Sequence, residues 1–172
     1  MVIEKTVQIP DGVEVKLEDN SLVVRGPKGE LSREFKNPQI KLAVKQDRVK
    51  FSTEMKRRKT LALLGTWVAH ARNMIIGVTK GWEARLKVVY SHFPVKLDQE
   101  GDKVLIQNFM GERKPRIAKV IGDTKVELKK DEIILTGINK EEVGQTAANI
   151  RQATKIKDRD PRVFMDGIYV VK

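Results

Sequence analysis

The sequence predicts an α+β protein made of two similar repeats, each a small, mainly antiparallel β-sheet with one α-helix packed on one face. Three observations carry that prediction. Short β-prone runs bounded by turn residues recur along the chain, two segments have helical periodicity, and the order of pieces in the first half returns in the second. VKLEDNSLVVRGPKGELSR, from Val15 to Arg33, is matched by VKLDQEGDKVLIQNFMGERKPR, from Val95 to Arg116. In each, Val-Lys-Leu and an acid precede a turn, a strand and a Gly-Glu pair (Gly29-Glu30 and Gly111-Glu112). KLAVKQDRVKF, from Lys41, is likewise matched by KVELKKDEIIL, from Lys125. The matched pieces lie about 80 residues apart, as Val15 and Val95 do, so a duplication reads better than chance.

In the first repeat the strands are SLVVRG and RVKFST; in the second they are KVLIQNF and EIILTG. Apolar and β-branched residues alternate in them between Asp, Asn and Gly turn signals. QDR and KKDE are tight connections between antiparallel neighbours. The first helix is expected from Lys56 to Val78, with Leu61, Leu64, Val68, Ala71 and Ile75 as its buried stripe. The second starts at Asn139, which can cap it, with Glu142 placed three positions on as in a capping box. Val143, Ala147 and Ile150 are its stripe. Gly65 and Gly144 sit at matching places in the two helices, which suggests close packing of helix on sheet. The boundary is expected near GVTKGWEARL, giving an N-terminal repeat over 1–82 and a C-terminal repeat over 83–172. At the end of the chain, Val163-Phe164-Met165 and Ile168-Tyr169-Val170-Val171 flank Asp166-Gly167, a strong signal for a two-residue hairpin turn.

Composition narrows the function. Among 172 residues, 34 Lys and Arg outweigh 23 Asp and Glu, a net charge of +11. That excess calls for a polyanionic partner, nucleic acid or anionic membrane. No apolar run of the ~18–20 residues that span a bilayer stands out, and the start of the chain has acids and a proline where a signal peptide has an apolar core. An intracellular protein is expected. The absence of cysteine removes disulfides, thiolate metal sites and a cysteine nucleophile.

Catalytic signals are lacking. His70 and His92 have no metal-ligand spacing, and His70 reads as a helix-surface or edge histidine. GPKGE is a β-turn rather than a phosphate loop, which needs a longer glycine frame and Lys-Ser/Thr opening a helix. No carboxylate pair stands out. No cofactor, metal or small-molecule substrate is expected.

The cationic clusters are the better signal. Lys56, Arg57, Arg58 and Lys59 fall at the first turn of a helix, where cations oppose the helix dipole. Arg113, Lys114 and Arg116, with Lys119, form a second cluster. Lys155, Lys157, Arg159 and Arg162 form a third, in the loop that joins the second helix to the expected final hairpin. Any one cluster can be an ordinary solvated face; three of them together with the net charge point to nucleic acid. Aromatics are 5% of residues, and Phe51, Phe164 and Tyr169 read as core, so recognition should rest on phosphates, sugars and duplex shape rather than on stacked bases. A basic module for an acidic protein partner is the alternative. A nucleic-acid-processing enzyme would need clustered carboxylates, which are not seen.

Three stretches are more specific. NMIIGVTKGWEARLKVVY (from Asn73), QNFMGERKPR (from Gln107) and QATKIKDRDPRVFMDGIYVVK (from Gln152) resemble the archaeal and eukaryotic form of the large-subunit ribosomal protein six family. The match covers essentially the whole chain, and the length looks archaeal. The resemblance implies two α+β repeats bound to 23S-type rRNA of the large ribosomal subunit, at the base of the lateral stalk beside the sarcin–ricin loop, among neighbouring large-subunit and stalk-base proteins. It implies a cytoplasmic ribosomal location, no membrane, no cofactor and no catalysis. It places most RNA contact on the second repeat, at Lys155, Lys157, Arg159, Arg162, Arg113, Lys114 and Arg116. The Lys56–Lys59 cluster is carried over less securely.

Overall fold

The structure is a computed structural model that describes residues 2–45, 47–90, 92–160 and 162–171. The chain divides into two compact units between Gly81 and Trp82.

Unit 1 holds β1 (Ile3–Gln8), β2 (Glu14–Glu18), β3 (Ser21–Gly26), β4 (Gly29–Glu34), β5 (Lys41–Lys45), β6 (Arg48–Thr53) and α1 (Arg58–Thr79). Its antiparallel strands form two sheets, β1-β6-β5 and β2-β3-β4. β6 alternates as its sequence demands: Val49, Phe51 and Thr53 are buried. α1 covers the sheets with Leu64, Trp67, Val68, Ala71, Met74, Ile75 and Val78; Leu61, expected in the stripe, is half-buried. Phe35 meets Trp67 and Phe51 edge-on, at 5.1 and 6.1 Å between ring centroids. The best 18-residue window of α1 has a mean hydropathy of 1.2, long and apolar enough by composition to cross a bilayer, against the sequence expectation. The hydropathy is explained by the buried stripe, which belongs to the unit's core.

Unit 2 repeats the plan. It holds β7 (Trp82–Val89), β8 (Lys96–Glu100), β9 (Lys103–Gln107), β10 (Arg116–Lys119), β11 (Lys125–Leu128), β12 (Glu132–Gly137), α2 (Lys140–Ala153) and β13 (Gly167–Val171). The sheets are β10-β9-β8 and β11-β12-β7-β13, so the two-repeat α+β class is borne out. Asn139 caps α2: its side chain accepts from the Glu141 N–H at 3.0 Å and donates to Glu142 Oε1 at 3.0 Å. Glu142 Oε2 also accepts from the Asp123 N–H, which ties the neighbouring turn to the helix start.

Two local expectations give way. The helix glycines do not mediate tight packing: a Cβ on Gly144 would meet nothing within 4 Å, and one on Gly65 only Lys5 Nζ at 3.8 Å. The close approaches lie on the strand side. A Cβ on Gly26, at the end of β3, would fall 2.7 Å from Val78 of α1; one on Gly137, ending β12, would fall 2.8 Å from Val143 of α2. The final hairpin is also absent. Gly167 lacks the positive φ that an Asp-Gly hairpin turn requires, residues 162–166 form no strand, and β13 pairs alone with β7, Ile168 opposite Val88 and Val170 opposite Leu86. A free edge on a formed sheet offers five paired positions and buries Ile168, whereas an isolated two-stranded ribbon is marginal in water. Of the two expected tight connections, KKDE joins β11 to β12 as foreseen; in QDR, Gln46 lies outside the described residues.

Candidate nucleic-acid interface

The cations of unit 2 stand on two segments, and one arginine joins them. The β9–β10 connection, residues 108–115, takes a tight course: Asn108, Met110 and Gly111 all have left-handed φ values (58, 52 and 76°). Asn108 Nδ2 donates to the Pro94 carbonyl at 3.1 Å, and Phe109 is buried beneath. This leaves Arg113 and Lys114 exposed at the tip. Arg116 turns back. Its Nε and Nη2 donate to the two oxygens of Glu112, at 2.9 and 2.6 Å, and its Nη1 donates to the carbonyls of Ala153 and Lys155, at 3.0 and 3.2 Å. The guanidinium also lies 4.5 Å from the Phe109 ring centre. The Glu112 carboxyl is accordingly held below its ordinary range, and the Arg116 guanidinium above its own.

Those carbonyls belong to the end of α2 and the start of the closing segment, so Arg116 fixes where Lys155 stands. Thr154, buried, closes the same corner: its hydroxyl donates to the Arg151 carbonyl and accepts from the Ile168 N–H at 3.1 Å. Beyond it, Lys155, Lys157, Arg159 and Arg162 are all exposed. Asp158 is left-handed (φ 59°), a conformation Asp tolerates. Asp160 accepts from the backbone and side chain of Arg162, at 2.9 and 3.2 Å, and its carbonyl accepts from the N–H groups of Val163 and Phe164. Arg162 thereby holds the Asp160 carboxyl below its usual pKa. Pro161, between them, lies outside the described residues.

Sequence reasoning placed Phe164 and Tyr169 in the core, and the structure does not. Phe164 is half-buried outside any strand; Tyr169 is 45% exposed on β13. Arg159 stands 4.6 Å from the Phe164 ring centre, and His92 stacks on the same ring at 5.9 Å. His92 Nδ1 in turn lies 3.6 Å from Oδ1 of Asp166, a buried carboxylate rather than a turn residue. Nothing local in the sequence signals this, because Arg159 and Phe164 are not at a helical or strand spacing and His92 is far along the chain.

The remaining cluster belongs to unit 1. Arg57 is the N-cap of α1, with no side-chain cap bond and no acid in the first turn; Lys56, Arg57, Arg58 and Lys59 are all exposed. The helix begins at Arg58, two residues later than the sequence suggested. Its open N–H groups and the cations beside them both suit an anion.

Two basic loops on a twofold α+β frame are the mark of a nucleic-acid-binding structural protein, and the comparisons specify it. The profile of the family described as Ribosomal protein L6 matches residues 9–81 and 93–167, one segment in each unit. Similar proteins named large ribosomal subunit protein uL6 occur in Methanosarcina mazei (49% identical over 99% of this chain and 97% of the relative), Methanobrevibacter smithii (51% over 98% and 95%) and Methanothrix thermoacetophila (48% over 99% and 97%). The chain belongs to the ribosomal protein L6 family, in its archaeal form.

Proposed function

We propose that the protein is a structural constituent of the large ribosomal subunit, in the cytoplasm, that binds 23S-type rRNA near the sarcin–ricin loop and the stalk base, beside other proteins of that region. Its role is to hold RNA shape at the translation-factor-binding region, not to catalyse. Unit 2 is the main RNA-binding part.

The single observation that carries this reading is the Arg116 bridge. It fastens the Arg113–Lys114 tip to the closing segment, so that Lys155, Lys157, Arg159 and Arg162 start from a fixed point. Cations on a rigid frame neutralise closely spaced phosphates without losing much freedom on binding. Arg116 itself, with its donors engaged inside the protein, positions the others. Asp160 holds Arg162 in one register. The Lys56–Lys59 cluster supplies a second phosphate contact, from unit 1.

The test is binding to a large-subunit rRNA fragment containing the sarcin–ricin helix, measured across salt concentrations against duplex DNA of equal length. Each lost phosphate contact should lower the log–log salt slope by about 0.7–0.9, so Arg159→Ala/Arg162→Ala should lower it by about 1.5. Equal affinity for DNA, with an unchanged slope in the double variant, would refute the reading and favour an acidic protein as the partner of this surface.

A further inference from the structure

We propose that the cleft between α2 and the edge strand β13 docks an extended, acidic segment of a partner protein, which adds as a further strand to β13. The cleft has a volume of about 700 Å³ and lies within unit 2. One wall is β13, the outer strand of its sheet. The Ile168 N–H turns away from β7, to Thr154 Oγ1. Backbone groups alternate sides along a strand, so the N–H and carbonyl of Val170 also point away from β7, towards any added strand. Val170 is 49% exposed.

The other wall is one face of α2. Gly144, Ala147, Ala148 and Arg151 line it, spaced three and four apart. Gly144 is the telling residue. A glycine inside a helix costs about 1 kcal/mol relative to alanine. No packing explains this one, because a Cβ there would meet nothing within 4 Å. What the missing side chain gives is bare helix backbone facing the cleft, the usual device where another main chain comes close. From Gly144 to Lys155 the wall runs about 16 Å, the length of roughly five extended residues.

The occupant follows from the lining. Ala84, Ile168 and Val170 make an apolar floor, while Arg151, Lys155 and Arg159 supply positive charge. A peptide alternating apolar and acidic residues satisfies both, and a strand edge offers it main-chain hydrogen bonds that a nucleotide cannot return in register. A second copy would bring one net charge of +11 against another. The cleft shares Lys155 and Arg159 with the phosphate contacts proposed for the loops, but its strand edge and its α2 wall are not among those contacts.

The experiment screens a phage-displayed library of random octapeptides on the full chain. Two variants leave the frame intact. Gly144→Leu improves the helix and fills the cleft; Val170→Pro removes an N–H that β7 does not use. We expect enrichment of sequences that alternate apolar residues with Asp or Glu. A synthetic copy should bind at least tenfold more weakly to either variant, with affinity for the rRNA fragment kept within twofold. No enrichment, or enriched peptides indifferent to both variants, overturns the proposal. So does a tenfold loss of RNA affinity in the variants, which would make the cleft an RNA site, or self-association of the wild type that they abolish. Failure of the RNA reading would show instead in the wild-type rRNA titration.

Discussion

Replacing Gly26 by alanine should destabilise unit 1, although adding a methyl group to glycine in extended backbone ordinarily helps. The backbone at Gly26 is not in the left-handed region, so alanine meets no conformational objection there. Taken alone it should stabilise by about 0.4–1 kcal/mol through the unfolded chain. The new Cβ, however, would lie 2.7 Å from Val78 Cγ2, 2.8 Å from the Val78 carbonyl oxygen and 3.0 Å from Val78 Cβ. Carbon atoms rest about 3.5–4 Å apart, so the end of α1 must retreat by roughly 0.8 Å or more. Rotating the Val78 side chain does not relieve the contact with its backbone oxygen. That carbonyl accepts from the Lys28 N–H at 2.9 Å, a bond which the retreat stretches, and Lys28 Nζ also donates to the Lys80 carbonyl. Overpacking of this kind costs about 1–3 kcal/mol, and a weakened hydrogen bond adds up to about 1 kcal/mol. The net expectation is a loss of about 1–3 kcal/mol. Urea unfolding followed by Trp67 fluorescence in a Trp82→Phe background reads unit 1 directly. With a slope near 1 kcal/mol per molar for a unit of this size, the midpoint should fall by about 1–3 M. Gly144→Ala is the internal contrast and should raise the stability of unit 2 by about 1 kcal/mol. An unchanged or raised midpoint for Gly26→Ala would refute the packing argument.

Other consequences follow from the same contacts. Arg116→Ala should cost unit 2 about 2–3 kcal/mol, less than the summed worth of its four hydrogen bonds and one ring contact, since they are shared by one group; amide exchange in 153–168 should quicken by tenfold or more, and unaltered exchange would deny the bridge. Glu112 has a pKa lowered from the ordinary 4.5 by Arg116, so its contribution is present above that value and is lost as pH falls through the lower folded one. Glu112→Gln should therefore be less stable near neutrality and converge with the wild type in acid, as pH-dependent urea midpoints will show. Asn139→Ala should cost about 1 kcal/mol, read from the same midpoints, by removing the α2 cap.

The legible parts of this fold were those whose cause is local. SLVVRG, RVKFST and EIILTG became β3, β6 and β12 with the expected ends, because turn residues bound them on both sides. Asn139 and Glu142 marked the start of α2 for the same reason. What stayed hidden depends on partners far along the chain. The Asp166-Gly167 turn signal lost to the edge of β7, which the sequence places nearly eighty positions earlier. The strand glycines that meet a helix, Gly26 and Gly137, are recognisable only once that helix lies across them. Arg116 reads like its neighbours Arg113 and Lys114, yet it alone meets carbonyls from the end of α2. Phe164 is apolar by type, but its ring serves Arg159 and His92 at the surface.

The two units differ most where their central meanders turn. Pro27 and Lys28 suffice between β3 and β4, whereas residues 108–115 intervene between β9 and β10. β13 is a second addition, laid beside β7, while β1, in the corresponding place of unit 1, ends its sheet. Both novelties hang outside the elements that the copies share. A lineage could therefore lengthen, recharge or discard them without disturbing either core. The shorter copy, meanwhile, records how little chain the scaffold needs.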